Sequence, residues 1–300
     1  MFINQIEQAV ELYCKDASAA DQARLRFFEG LFKLQQARSD KLSAAADDGE
    51  PLSQSAADAD YIAGRALLET CPVVLDPAKF ATTCTAVANY LVEDAGLEPA
   101  VADALGAVNW NDFCAKADLA LAGSNPSAFV EKCLRSVEEL GASAALPASV
   151  FMMVPAFALR AHLQPQAEKL MGIVSKDAKT GAHKRPLLCP VCGSVATASR
   201  VGPVTSLMGG TREQYCGTCG TVWLFDRVRC GVCGTHNQSH LHYFNEERDF
   251  AHRLQSCDEC GQYQRMVMQD EAPGPAVMEV EDVVMAKLDC IALDPRFRTK

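Results

Sequence analysis

Four copies of one short cysteine motif constrain this chain more than any other feature. They are Cys189-Pro190-Val191-Cys192-Gly193, Cys216-Gly217-Thr218-Cys219-Gly220, Cys230-Gly231-Val232-Cys233-Gly234 and Cys257-Asp258-Glu259-Cys260-Gly261, each reading C-x-x-C-G. Two thiolates with two residues between them can grip one tetrahedral metal ion from a tight turn. The glycine after the second cysteine supplies a backbone conformation that a Cβ resists. Twenty-three residues separate Cys192 from Cys216, and twenty-three separate Cys233 from Cys257. A shift of 41 residues therefore carries Cys189, Cys192, Cys216 and Cys219 onto Cys230, Cys233, Cys257 and Cys260. That is an internal duplication, and it predicts two metal sites, one from each set of four. Pairing the two middle units across the ten-residue gap between them is the alternative.

Four thiolates suit zinc and iron alike, so the spacing leaves the metal open: iron would be redox-active, zinc inert. A repeat of about 40 residues is too small to bury an adequate core without a staple. A structural metal, worth on the order of 10 kcal/mol, supplies one. A thioredoxin-like redox motif would need one C-x-x-C at a strand–helix junction rather than four in β-type sequence. Disulfides would normally require export, and the N-terminus through Asp16 has no basic region followed by an apolar run. A cytoplasmic, reducing setting is expected, where paired cysteines are ligands. Cys14, Cys71, Cys84, Cys114, Cys133 and Cys290 are solitary and are expected to be buried, unreactive thiols.

Charge narrows the function further. The net formal charge is −10, and the acidic excess sits before residue 181, with 15 basic and 24 acidic residues. Residues 181–270 carry 9 basic and 8 acidic residues. A near-neutral cysteine region on an acidic chain counts against nucleic acid or an anionic membrane as partner. The longest uncharged stretch, Leu140 to Leu159, is interrupted by Pro147 and Pro155 and reads as a buried helix or helix pair rather than a membrane span.

Residues 1–180 read as an all-α domain. Between Asp21 and Leu42, Leu25, Phe28, Leu31, Phe32 and Gln35 fall on one helical face. Ala-rich helical stretches recur at 60–70, 80–105, 114–123 and 127–140. Breaks are predicted at Asp47 to Pro51, Asp76-Pro77, Glu98-Pro99 and Gly123 to Pro126. Lys179 to Pro186 looks like a linker, and β-type segments follow at Val195 to Val201, Thr221 to Arg229 and Leu241 to Phe244. A helical pattern returns from Met278 to Leu293. His240 and His242 are expected on one strand face with a surface role, and Trp223 and Phe225 in the core beside the second knuckle. The chain carries no G-x-S-x-G, H-E-x-x-H, P-loop or G-x-G-x-x-G, so no catalytic residue is nominated and a non-enzyme is expected.

The cysteine region resembles the formate dehydrogenase accessory protein family, FdhE. The resemblance lies in Arg185 through Ser194, in Tyr215 through Cys219 followed by Trp223, in Val228 to Cys233, in Leu241-His242-Tyr243-Phe244, and in Ser256 through Gly261 with Tyr263. Arg24 to Gln36 and Val150 to Leu163 resemble the family more loosely, and the tail from Pro295 to Lys300 is shorter than its usual ending. The resemblance implies an α+β multidomain chain: a helical domain (1–180), two rubredoxin-like, zinc-ribbon-like four-cysteine modules (185–225 and 226–270) and a C-terminal helical segment (271–300). It also implies a non-catalytic role in the cytoplasm, maturing a molybdenum- or tungsten-dependent formate dehydrogenase by binding its catalytic subunit. By position the eight cysteines are the family's metal ligands, two ions per chain, with iron the metal usually proposed. A rubredoxin-like electron carrier or redox sensor is the alternative.

Overall fold

The computed structural model describes residues 2–43, 52–181, 184–203 and 210–293. The predicted break at 47–51, part of the linker at 182–183 and the tail at 295–300 lie outside the described residues. The helices in chain order are α1 (Ile3–Cys14), α2 (Ala19–Ser43), α3 (Gln54–Ala63), α4 (Leu67–Thr70), α5 (Pro77–Asp94), α6 (Pro99–Gly106), α7 (Trp110–Lys116), α8 (Leu119–Ser124), α9 (Pro126–Leu134), α10 (Ala148–Ile173) and α11 (Lys176–Thr180). Two short helices, α12 (Met278–Val284) and α13 (Ala286–Ala292), close the described chain.

Local chemistry explains most of the helix starts. Asp76 accepts a hydrogen bond from the Lys79 amide and Pro77 occupies the first turn, so the predicted break is the cap of α5. Asn125 with Pro126 does the same for α9, and Glu98-Pro99 opens α6. On α2, Leu25, Leu31, Phe32 and Gln35 are buried, and the Gln35 amide donates to the Phe157 carbonyl at 2.9 Å, docking α2 on α10. The uncharged stretch from 140 resolves into turns up to Pro147 and then α10, which holds Pro155 and Pro165 inside it. No helix among the described residues is long and apolar enough to cross a membrane.

The cysteine region forms six strands: β1 (Ala198–Val201), β2 (Arg212–Tyr215), β3 (Val222–Phe225), β4 (Leu241–Asn245), β5 (His252–Cys257) and β6 (Tyr263–Met268). They lie in one sheet in the order β3-β2-β1-β6-β5-β4. Each repeat contributes a three-stranded antiparallel half, and the halves join where β1 runs parallel to β6, Ala198 opposite Arg265 and Val201 opposite Met268. The sequence pattern anticipates β1, β3 and β4. It misses β2, β5 and β6, whose buried positions include Arg212, Gln214, His252, Gln255 and Gln264 in place of the usual apolar residues.

The largest apolar cluster joins both parts of the chain. Phe80, Phe113, Phe129, Phe151 and Leu159 from the helices share it with Cys189, Val191, Cys192, Cys216, Cys219 and Trp223. Val280 and Val283 of α12 pack with Ile6, Val10, Leu25 and Phe32 of α1 and α2, so the C-terminal segment returns to the N-terminal helices. The architecture is mixed α+β, with two zinc-ribbon-like four-cysteine units on one sheet.

Candidate metal centre

All four knuckles share one backbone scheme. In the first, the Cys189 amide donates to the Ser194 carbonyl at 2.8 Å and the Gly193 amide to the Cys189 carbonyl at 2.9 Å. The same pair of bonds recurs as Cys216 to Thr221 with Gly220 to Cys216, Cys230 to Thr235 with Gly234 to Cys230, and Cys257 to Gln262 with Gly261 to Cys257. Gly193, Gly220, Gly234 and Gly261 have φ of +73°, +80°, +79° and +65°, the left-handed region that closes each turn. In the third knuckle the Val232 and Cys233 amides both donate to Cys230 Sγ at 3.4 Å, a contact that stabilises a thiolate.

These turns bring the cysteines together as two sets. Cys189, Cys192, Cys216 and Cys219 form one, Cys230, Cys233, Cys257 and Cys260 the other, with the sulfurs of each set within 4.8 Å of one another. Consecutive knuckles are thus paired, and the middle two are not. Cys189 and Cys192 lie 3.5 Å from Cys219 and Cys216, and Cys230 and Cys233 lie 3.8 Å from Cys260 and Cys257. A disulfide needs about 2.05 Å. Tetrahedral coordination at about 2.3 Å per metal–sulfur bond puts neighbouring sulfurs about 3.8 Å apart. The donor set and its spacing fit a tetrathiolate metal site, and each group can hold one ion.

The two groups differ in their surroundings. The four sulfurs of the first belong to residues at most 1% exposed. The amides of Leu67 and Leu68, opening α4, donate to the carbonyls of Pro190 and Val191 at 2.9 Å, so a helix N-terminus seats the first knuckle. Trp223 is buried and its Nε1 donates to the Pro186 carbonyl at 3.0 Å; Phe225 is buried too. Burial pushes the Cys189 thiol well up, while hydrogen bonds from Cys189, Cys192 and Cys219 hold Cys216 well down, as for one thiolate among thiols. In the second group Cys230 and Cys257 are buried, Cys260 is half-buried and Cys233 is exposed.

Three buried arginines bond to the strands and knuckles of the cysteine region, and a buried histidine opens β5; none was singled out by the sequence pattern. Arg160 of α10 donates to the Tyr215 hydroxyl at 2.5 Å and the Gly217 carbonyl at 3.1 Å and pairs with Glu279 at 2.7 Å, linking α10, the second knuckle and α12. Arg212 donates to the Arg229 carbonyl at 2.7 Å, and Arg229 to the Gly234 carbonyl at 3.2 Å. His252, buried, lies between Asp249 and Glu281 with the Tyr13 hydroxyl beside it. Several of these partners are far away in sequence, as 239 positions separate Tyr13 from His252.

Two expectations need correction. Cys84, Cys114 and Cys133 are buried, but Cys14 and Cys71 are half-buried and Cys290 is exposed on the short terminal helix. His240 does not share the strand face of His242, because it ends a 3₁₀ turn (Gln238–His240) before β4. His240 is half-buried and His242 exposed, and both stand beside carboxylates of the fourth knuckle, His242 Nε2 at 2.8 Å from Asp258 and His240 Nδ1 at 3.5 Å from Glu259.

No family model matches the chain. It is 30% identical over 106 residues to Protein FdhE of Escherichia coli O157:H7, of Shigella boydii serotype 18 and of Escherichia fergusonii. The match covers 35% of this chain and 33% of each relative, so it spans about a third of the relatives' length. The crystal structure of the FdhE protein from Pseudomonas aeruginosa superposes with a TM-score of 0.55 over 97% of this chain and 90% of that one, at 20% identity. The chain resembles FdhE in sequence and in fold. The FdhE-like fold extends across the helical part as well as the cysteine region, well beyond the stretch that aligns by sequence.

Proposed function

We propose that this chain is a non-catalytic accessory factor that matures a molybdenum- or tungsten-dependent formate dehydrogenase in the cytoplasm by binding its catalytic subunit. The observation that carries the reading is the pair of tetrathiolate groups, built from four matching knuckles on an FdhE-like fold. The eight cysteines Cys189, Cys192, Cys216, Cys219, Cys230, Cys233, Cys257 and Cys260 are the proposed ligands of two ions, iron or zinc. We also propose the division into a helical domain (1–180), modules 185–225 and 226–270, and a terminal segment (271–300). In this account the metals hold the sheet in shape, and the surface they shape meets the dehydrogenase subunit.

The test is genetic and biochemical. Deleting the gene should strongly reduce formate dehydrogenase activity in cells, and the tagged protein should co-purify with the catalytic subunit unless Cys189 or Cys257 is replaced by Ser. Full dehydrogenase activity in the deletion strain would overturn the proposal. The exposure of Cys233 favours a second reading, a rubredoxin-like electron carrier or redox sensor. That reading requires iron with a visible thiolate-to-iron absorption that bleaches on reduction; colourless protein with two zinc ions removes it.

A further inference from the structure

We propose that the two cysteine groups have different duties: the second, Cys230, Cys233, Cys257 and Cys260, is the centre through which metal enters and leaves, with Arg212 as its buried counter-cation, while the first is sealed. The inference rests on the ligand assignment made above and goes beyond it, since a 41-residue duplication by itself predicts two equal sites.

Burial sets the route. A ligand or chelator reaches a metal by displacing a thiolate that solvent can touch, and Cys233 is such a thiolate. The first group has no comparable face. Its four cysteines lie in the main core under α4, and Ser127 Oγ of α9 donates to Ser194 Oγ, itself 3.3 Å from Cys192 Sγ. The second group packs in a small cluster with Leu241, Val228 and Val232.

Charge sets the hold. Four thiolates around a divalent ion leave a net charge of about −2, which a partly dry site must balance. Arg212 is 1% exposed, and among the described residues its hydrogen bonds end on neutral oxygens: the carbonyls of Arg229 and Arg227 and the amide oxygens of Gln255 and Gln264. A buried cation that hydrogen-bonds no carboxylate is costly unless nearby anions offset it. Asp226, paired with the neighbouring Arg229 at 3.2 Å, offsets part of the charge and leaves the rest to the thiolates. The Arg229 carbonyl that it holds belongs to the peptide leading into Cys230. A Cβ on Gly231, inside the third knuckle, would lie 2.0 Å from Gln264 Oε1 and 2.7 Å from Gln214 Nε2, so the knuckle rests directly on this polar cluster. Arg229, also buried, reaches Gly234 at the far end of the same knuckle, and both guanidiniums flank the Phe225 ring, at 5.1 and 4.8 Å from its centroid. By contrast, Arg160 at the first group already has its charge met by Glu279.

The experiment loads the full-length protein with Co(II), whose thiolate charge-transfer absorption reports each site, and adds excess EDTA. Two release phases of similar amplitude are expected. Cys233 and Cys260 should be alkylated by iodoacetamide during the fast phase, and Cys189, Cys192, Cys216 and Cys219 only in the slow one. Arg212→Gln should speed the fast phase about tenfold, the usual size of an effect just outside the ligands, and leave the slow phase unchanged. Arg212→Lys, which keeps the charge, should recover part of the difference. Single-phase release, first alkylation at Cys189 or Cys216, or equal acceleration of both phases by Arg212→Gln would overturn the inference while leaving the ligand assignment standing. If Arg212→Gln does not fold, biphasic release and the labelling order in the unaltered protein still decide the matter. A protein that takes up no Co(II) overturns the ligand assignment and this inference together.

Discussion

At the scale of single residues, each knuckle turns on the glycine after its second cysteine, because the turn requires a positive φ. Gly220 illustrates how much rides on it. Its φ is +80°, and a Cβ there would lie 2.9 Å from the Arg160 guanidinium. Gly220→Ala should cost about 1–3 kcal/mol of unfolding free energy in the metal-loaded protein, measured by urea titration. Gly106→Ala, in open space on α6, should cost nothing and serves as the control. His252 was not legible, since nothing in its neighbourhood announces Tyr13 or Glu281. Burial by itself would lower its pKa, but hydrogen bonds to Asp249 and Glu281 outweigh that and raise it to about 9. The folded-state value thus exceeds the ordinary 6.5, so the stabilisation is complete below about pH 6.5 and is lost as pH rises through about 9. Urea midpoints measured from about pH 6.5 to 9.5 should fall by the equivalent of about 3 kcal/mol, and His252→Gln should flatten that slope.

At the scale of elements, proline and Asx punctuation marked helix starts well: the breaks read at Asp76-Pro77 and Glu98-Pro99 became the openings of α5 and α6. Of the break read at Gly123 to Pro126, the last two residues open α9 while Gly123 and Ser124 end α8. Strands were harder. β2, β5 and β6 bury Arg212, Gln255 and Gln264 against one another, and an alternation rule that counts only apolar residues passes over such a polar interior. The contact between α4 and the first knuckle was invisible for a different reason: it is made by backbone amides, which nearly every residue carries. It can be isolated. Proline at position 67 suits the first turn of a helix but removes the amide that donates to the Pro190 carbonyl. Leu67→Pro should therefore be less stable than Leu67→Ala by about 1–3 kcal/mol, the cost of a buried carbonyl left without a donor, as read by thermal unfolding.

At the scale of the whole molecule, the duplication defined the modules, and the structure added how they join. The parallel pairing of β1 with β6 makes one sheet of the two repeats, and the Cys189 group sits in the same core as α5, α9 and α10. The C-terminal helices then return to α1 and α2, a contact between distant parts of the chain that a local pattern cannot foresee. The function follows the same division. The metal groups can be argued from thiolates and distances, whereas a formate dehydrogenase partner is proposed on the FdhE-like sequence and fold. In the proposed account, both the sheet's stability and the function depend on the cysteines holding metal. X-ray absorption with metal analysis, on protein purified without air, reads this out at the sulfurs themselves. Two ions per chain, each with four sulfur neighbours at about 2.3 Å, are expected. Fewer than one ion per chain, or nitrogen and oxygen in place of sulfur around it, would refute metal binding by these eight cysteines.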